Sequence, residues 1–218
     1  PLGFRMPDER KRQLVEFAVR ADMPIIENGV CNELHYGRTH PDTLKSHDRS
    51  GLVLHCASFS KTLSPAYRIG WALPGRYRDQ VEKLKFLNTL TTPLLPQVAI
   101  ARFLERDGYE HHLRRIRRTY AQQAGLMKTV VSRFFPAGTR VSNPAGGYVL
   151  WVELPEQVDM VCVAQPLRRL KIQVAPGSLF SAAGTYRNCV RINCALPPTE
   201  KHKAVMVKLG EAVKVAME

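Results

Sequence analysis

The chain lacks any run of eighteen apolar residues, and Pro1-Leu2-Gly3-Phe4-Arg5 has neither the basic n-region nor the apolar h-region of a secretory leader. A soluble, cytoplasmic protein with no membrane partner is the expectation. There is no internal repeat and no low-complexity tract, so neither a solenoid nor a biased linker is expected. No C-x-x-C pair occurs among the five cysteines, Cys31, Cys56, Cys162, Cys189 and Cys194, and each lies in or beside an apolar stretch. Reduced, mostly buried thiols are expected rather than a disulfide framework. A metal site is not expected either, because His111-His112 has no cysteine partner nearby in sequence.

Acidic residues are scarce, 19 against 32 lysines and arginines, which leaves a formal charge of +13. Such an excess invites a nucleic-acid reading through counterion release. Its distribution weakens that reading. Much of it lies in Glu9-Arg10-Lys11-Arg12 and Arg114-Arg115-Ile116-Arg117-Arg118, where charge alternates with apolar residues at helical spacing and reads as solvated faces. No helix-turn-helix, zinc-finger or aromatic RNA-binding pattern accompanies them, so direct DNA contact by this segment is not expected.

What is present is ordinary globular composition: 218 residues, 44% hydrophobic and 23% charged, enough for one large or two modest domains. Apolar positions at helical spacing predict a helix over Pro7–Arg20, followed by a short strand, Met23–Glu27. The turn formers from Gly29 to Ser50 predict a long irregular connection, and Leu52–His55 a buried strand. Trp71–Leu73 reads as a strand and Tyr77–Leu90 as a helix, with Pro93 and Pro96 forcing a break. From Gln97 to Phe134 the pattern is helical apart from Asp107-Gly108, and here a domain boundary fits best. Strands are expected at Gly147–Leu154, alternating, at Ile172–Ala175, and at Cys189–Cys194. A last helix runs from its Thr199 cap to Met217.

One stretch carries chemistry. Ser58-Phe59-Ser60-Lys61-Thr62-Leu63 follows the strand Leu52-Val53-Leu54, and Arg68-Ile69-Gly70-Trp71 comes seven residues after the lysine. A lysine amine condenses with a carbonyl, while hydroxyls and a guanidinium hold a phosphate. A phosphorylated aldehyde needs both at once. The bland alternative is a surface lysine in a serine-rich turn.

The pattern resembles the lysine motif of the fold-type I pyridoxal-phosphate enzymes, the aminotransferase class I/II superfamily. The resemblance implies an α/β fold, pyridoxal 5'-phosphate as cofactor, Lys61 as the aldimine lysine, and Ser58, Ser60 and Arg68 on the phosphate. Further segments match in the same order. Pro1-Leu2-Gly3 resembles the tail of the family's N-P-x-G turn, whose asparagine would fall before Pro1. Ile25-Ile26-Glu27-Asn28-Gly29-Val30-Cys31-Asn32-Glu33-Leu34 resembles the strand-end motif E-D-D-x-Y-x-E-L. Asn28 stands where an aspartate usually pairs with the pyridine nitrogen, and Cys31 where a tyrosine usually contacts the 3′ oxygen. A neutral amide supplies no charge to hold a proton on the ring, so the resemblance implies a weakened electron sink. The alternative for Asn28-Gly29 is simply a turn.

Asn143-Pro144-Ala145-Gly146-Gly147-Tyr148-Val149-Leu150-Trp151-Val152 resembles the small-domain G-G-x-x-x-W strand, with Tyr148 either bordering the substrate pocket or half-buried in the strand. Val190-Arg191-Ile192-Asn193 matches the strand whose arginine grips a substrate α-carboxylate through two parallel N–H bonds. Ala175-Pro176-Gly177-Ser178-Leu179-Phe180-Ser181 narrows the likeness to the aminotransferase-like domain of MocR-type GntR regulators. These implications cover the second half of a fold-type I domain: about 1–90 as the C-terminal part of the large cofactor domain carrying the lysine, and 91–218 as the small α+β C-terminal domain. The implied parent is a homodimer that binds an amino acid by aldimine exchange at Lys61 and touches DNA only through an N-terminal domain absent from this chain. The alternative is a catalytic amino-acid aminotransferase, of 2-aminoadipate or aromatic type, that passes the amino group to a 2-oxo acid. The segment alone is expected to be inactive. A cofactor-free scaffold is disfavoured by Lys61, Arg68 and Arg191.

Overall fold

The computed structural model describes residues 2–197 and 199–217. It forms two compact units, Arg5–Ile116, and Arg117–Glu218 together with Pro1–Phe4. Among the described residues no helix is long and apolar enough to cross a membrane, and no cluster of three or more His, Cys, Asp or Glu side chains is placed to hold a metal.

In the unit Arg5–Ile116, helix α1 (Asp8–Arg20) carries Asp8 and Glu9 in its first turn and Arg20 in its last, the charge order that suits the helix dipole. Its buried stripe is Lys11, Val15 and Ala18, at helical spacing. Lys11 corrects the expectation that the Glu9–Arg12 run is wholly solvated. It is only 7% exposed, and its ammonium donates to Asp8 Oδ1 at 3.0 Å and to the Asp42 carbonyl. The aliphatic stem covers apolar surface while the head keeps two acceptors.

Strand β1 (Ile25–Asn28) lies parallel to β2 (Val53–Ser58), with Ile25 opposite Val53 and Asn28 opposite Cys56. Parallel neighbours need a crossover. It runs through a 3-10 turn at Asn32–Leu34 and a one-turn helix α2 (Leu44–His47), where the Thr43 hydroxyl accepts from the Ser46 amide at 3.0 Å. Strand β3 (Gly70–Leu73) pairs antiparallel with β2, Ser58 opposite Gly70. The carboxyl ends of β1 and β2 and the start of β3 therefore share one end of the sheet. Behind it, Val15, Leu44 and Val53 form a small buried cluster with Leu14 and Ile25 against it.

Helices α3 (Arg78–Thr89) and α4 (Leu94–Glu105) are separated by the segment holding Pro93, and α5 (Gly108–Phe134) starts after Asp107, whose φ is 54°. Pro93 and Asp107-Gly108 mark the two breaks, whereas Pro96, expected to interrupt the chain as well, lies in the first turn of α4, where a missing N–H costs no helical bond. Helix α3 buries no residue, and Leu90, Leu94 and Leu95 are exposed, Leu95 by 81%.

In the unit Arg117–Glu218, strands β4 (Arg140–Val141), β5 (Val149–Glu153), β6 (Ala175–Pro176) and β7 (Cys189–Asn193) form an antiparallel sheet in the order β4-β5-β7-β6. One face, Leu150 and Val152 with Val190 and Ile192, joins a core built from α5, from α6 (Met160–Arg169) and from α7 (Glu200–Val215). Gly210 lets α7 approach α5 closely, since a Cβ there would lie 2.6 Å from the Phe134 carbonyl oxygen. Thr199 caps α7, its hydroxyl accepting from the His202 amide at 3.4 Å.

Three expectations change here. Strand β5 does not alternate in burial, because Leu150, Trp151 and Val152 are all buried: Trp151 faces away from the main core but is covered by the rings of Phe180 and Tyr186, each 5.7 Å away. Strand β6 starts only at Ala175 and has two residues. Helix α6 has no counterpart in the sequence expectations because Pro166 lies within it; Asp159 caps it, accepting from Val161 N at 2.9 Å. The thiols differ too. All five cysteines are free, but only Cys189 and Cys194 are buried, while Cys31 and Cys162 are exposed. Burial pushes the Cys194 thiol up to about 12. Pro1, at the head of the Pro1-Leu2-Gly3 turn, lies outside the described residues; Gly3 has φ 74° and its carbonyl accepts from Ala145 N at 2.9 Å.

Candidate functional site

Six of the residues singled out from the sequence lie at the one sheet end where β1 and β2 finish and β3 begins. Open α/β sheets bind ligands outside the carboxyl ends of their parallel strands, because loops there leave backbone and side-chain donors unpaired by the ladder. Asn28 is the last residue of β1, and Cys31 follows three residues later, just before the 3-10 turn. Ser58 is the last residue of β2; Ser60 and Lys61 are in the turn after it; Arg68 lies two residues before β3.

The turn is closed by its own backbone. Leu63 N and Ser64 N both donate to the Phe59 carbonyl, at 2.8 and 3.2 Å, while Phe59 N donates to Ile69 O at 3.1 Å. Lys61 and Arg68 are exposed, and Ser58 and Ser60 half-buried, with Ser60 N donating to Ser58 Oγ at 3.4 Å. Arg68 closes the 3-10 turn Pro65–Tyr67 in the left-handed region, φ 54° and ψ 34°. A non-glycine residue held there costs roughly 1–3 kcal/mol, a strain that clusters at functional sites.

Asn28 is engaged by its own loop. Its Oδ1 accepts from Val30 N at 3.2 Å, which makes Asn28-Gly29 a turn and fixes the side-chain NH2 as the end left to donate. Although Cys31 is partly exposed, desolvation pushes its thiol up, and the positive charge of Lys61 partly offsets the shift.

Two supports of this sheet, one along β1 and β2 and one at the opposite end where β2 begins, have no counterpart in the sequence reasoning. The Glu27 carboxylate accepts from His55 Nδ1 at 2.8 Å and from the amides of Leu44 and Lys45 at 2.7 and 3.1 Å, so one side chain ties β1, β2 and α2 together. The His55 ring lies against Trp71, centroids 5.3 Å apart, and under Gly29, where a Cβ would come within 2.4 Å of the ring. The loop before β2 is organised by Asp48. Its Oδ1 accepts from the amides of Ser50, Gly51 and Leu52 and from the Ser50 hydroxyl, and its Oδ2 from Val53 N at 2.9 Å and the Lys45 ammonium at 3.1 Å. Burial alone would raise this carboxyl, but the hydrogen bonds from Val53, Ser50 and Lys45 outweigh it and hold it far below the usual carboxylate range.

Arg191 and Tyr148 belong to the other unit. Arg191 is exposed on β7, opposite Trp151 of β5 and Ala175 of β6, with its guanidinium carbon 4.6 Å from the Phe180 ring centroid. Three of the sequence motifs, those holding Trp151, Phe180 and Arg191, thus meet on the sheet face away from the main core. Tyr148 precedes β5 instead of lying in it. It is half-buried, its ring 5.6 Å from that of Tyr120 and its carbonyl accepting from Cys194 N at 2.7 Å.

The family model for aminotransferase class I and II matches residues 1–209. The chain therefore belongs to the aminotransferase class I and II family. It is 47% identical over 218 residues to the uncharacterized HTH-type transcriptional regulator YjiR of Escherichia coli K12, covering all of this chain and 46% of that protein. Among solved structures it superposes on the multiple substrate aminotransferase of Thermococcus profundus with a TM-score of 0.89 at 27% identity, over 99% of this chain and 54% of that one. It also superposes on LysN, the α-aminoadipate aminotransferase of Thermus thermophilus complexed with N-(5'-phosphopyridoxyl)-L-leucine, with a TM-score of 0.88 at 26% identity, over 97% of this chain and 55% of that one. The fold is the α/β fold of these aminotransferases, and the chain spans about half the length of the relatives it matches.

Proposed function

We propose that this chain is the C-terminal half of a pyridoxal-phosphate-binding aminotransferase-like domain, residues 1–90 completing the cofactor domain and 91–218 forming the small domain, and that the full-length protein is a MocR-type regulator that senses an amino acid at Lys61. The observation that carries it is the donor set at one sheet end: an amine, two hydroxyls and a guanidinium within eleven residues of chain, beside the Asn28 amide. This set fits the cofactor. A phosphate dianion calls for Ser58, Ser60 and Arg68, an aldehyde for the Lys61 amine, and a pyridine nitrogen for a hydrogen-bonding partner such as Asn28. The phosphopyridoxyl group bound in the LysN structure supports the choice of cofactor. When bound, pyridoxal phosphate supplies an aldehyde that condenses with amines and a ring that takes up electron density.

This chain's residues then divide the work. Arg191 pairs the ligand's α-carboxylate with two parallel N–H bonds, its plane steadied by Phe180. Tyr148 borders the ligand, and Cys31 occupies the cofactor's 3′-oxygen side. Asn28 presents an NH2 donor, because its oxygen is committed to Val30 N. An NH2 donor suits an unprotonated ring nitrogen, whereas a carboxylate would hold the proton there. Exchange of amines at Lys61 needs no ring proton; rapid loss of the Cα hydrogen does. That contrast favours a sensor over a fast enzyme.

The similarity to YjiR supports a regulator, with DNA bound through a separate N-terminal domain in a cytoplasmic protein. A homodimer is part of the proposal, and the exposed apolar residues of α3 and α4 support a packing partner there. The second reading, a catalytic aminotransferase with Lys61 moving a proton from the substrate Cα, is favoured by the likeness to LysN and the Thermococcus enzyme.

The test is amino-acid-dependent DNA binding by the full-length protein, alongside turnover with a 2-oxo acid. The proposal expects a shift in DNA affinity with fewer than about one turnover per minute, well below the roughly 10 s⁻¹ median of enzymes. Sustained turnover near that median without any DNA response would establish the enzyme instead. Asn28→Asp is expected to raise the single-turnover rate of half-transamination at least about tenfold, equivalent to about 1.4 kcal/mol. A flat or lower rate would refute the account of the weakened sink.

A further inference from the structure

The turn that carries Lys61 is held by residues almost fifty positions away. Thr62, the next residue, is 3% exposed although Lys61 is exposed, so the two side chains point to opposite sides of the turn. Thr62 Oγ1 accepts from the Tyr109 hydroxyl at 3.1 Å, and the Thr62 carbonyl accepts from His112 Nε2 at 2.6 Å. The Tyr109 ring also meets Phe59 edge to face, centroids 5.8 Å apart. Both residues lie in the first two turns of α5, whose Leu113 is fully buried. The acceptor fixes the imidazole tautomer. A carbonyl can only accept, so Nε2 carries the hydrogen, and Nδ1 is left to accept from Arg115 at 3.4 Å.

We propose that Tyr109 and His112 are positioning residues for Lys61, which act by pinning Thr62 inward and thereby fixing the direction in which the lysine leaves the backbone. The proposal rests on Lys61 being the carbonyl-capturing lysine. A lysine stem has four rotatable bonds, so its amine reaches a bound aldehyde productively only if the Cα is fixed, and displacement by about 1 Å can cost about 100-fold. The turn's own bonds at Phe59 close the loop and tie its start to Ile69, while none of them engages Thr62. The clamp supplies its orientation from α5. Removing either donor leaves a buried acceptor of Thr62 without its partner, a cost of roughly 1–3 kcal/mol that the turn relieves by rolling Thr62 towards water and Lys61 with it.

The experiment measures the rate at which the full-length apo-protein captures added pyridoxal phosphate, followed by visible absorbance, with borohydride reduction and peptide mapping to confirm residue 61. His112→Ala and Tyr109→Phe are each expected to slow capture about tenfold, as about 1.4 kcal/mol would. His112→Gln places an amide nitrogen near the Nε2 position and should recover most of the rate. His111→Ala, an exposed neighbour on the same helix, should leave it unchanged. Thr62→Val should match Tyr109→Phe, and combining them should slow capture no further, since both delete one bond. Wild-type rates in folded His112→Ala and Tyr109→Phe would overturn the clamp while leaving Lys61 in place. So would a loss that His112→Gln does not repair. Absence of capture at residue 61 in the unaltered protein would overturn the lysine assignment, and the clamp with it.

Discussion

Lys61→Ala is expected to abolish the visible absorbance that the proposal assigns to the full-length protein with pyridoxal phosphate, leaving at most the spectrum of free cofactor. The expectation is all-or-none because one amine is asked to make one covalent bond, and neither Ser58, Ser60 nor Arg68 can replace it. The phosphate contacts should survive. Retention of cofactor through a dialysis step is therefore expected to fall by less than the absorbance, since three donors remain at the sheet end. Arg68→Ala is the complementary change. It removes the guanidinium but keeps a Cβ at the left-handed position, so the backbone strain is unchanged and cofactor binding should weaken with little change in the thermal midpoint. Unchanged absorbance in Lys61→Ala would refute the role of the lysine.

The second large effect is structural. Asp48→Ala removes the carboxylate that gathers four backbone amides, a hydroxyl and the Lys45 ammonium ahead of β2. Deleting one partner of a buried, hydrogen-bonded pair typically costs about 3–5 kcal/mol. The unit that carries Lys61 has a small buried cluster, so this loss is expected to unfold it at temperatures where the unaltered protein is native. The carboxyl is held low in the fold, so its contribution is complete above about pH 4, the unfolded value, and is lost as the pH falls from there through the lower folded value. Acid unfolding monitored by circular dichroism should thus be less steep in Asp48→Asn than in the unaltered protein. Equal steepness, or a loss below about 1 kcal/mol in Asp48→Ala, would contradict the network.

Much of this arrangement is legible in the sequence, and the reasons differ by element. Helices α1, α3 and α5 and the last helix α7 show in apolar spacing and boundary signals: α1 and α7 bury one stripe each, α3 stops ahead of Pro93, α5 starts at Asp107-Gly108 and α7 at the Thr199 cap. The lysine turn shows because the apolar run Leu52-Val53-Leu54 marks a strand and the serines after it mark its end. Helix α6 does not show, because Pro166 reads as a breaker although the helix interior accommodates it. Lys11 is misjudged for a related reason: a charge run reads as solvated, whereas here the distant Asp42 carbonyl accepts a hydrogen bond from the Lys11 ammonium.

The candidate site divides the same way. Lys61, Ser58, Ser60, Arg68 and Asn28 are near in sequence to strand ends, so their meeting follows from the order of strands. The Glu27–His55 pair, the Asp48 loop and the contacts of Tyr109 and His112 with Thr62 do not follow from spacing. The pair and the Thr62 contacts join segments 28 to 50 residues apart, and no local pattern encodes them. The only local hint is Asp48 two and three residues before Ser50-Gly51, a pattern that favours turns.

The most direct measurement is to saturate the full-length protein with pyridoxal phosphate, reduce it with borohydride and locate the added pyridoxyl mass by peptide sequencing. The account predicts the label on Lys61, and its loss when an amino acid is supplied before reduction. A label spread over other lysines, with residue 61 unmodified, would contradict it.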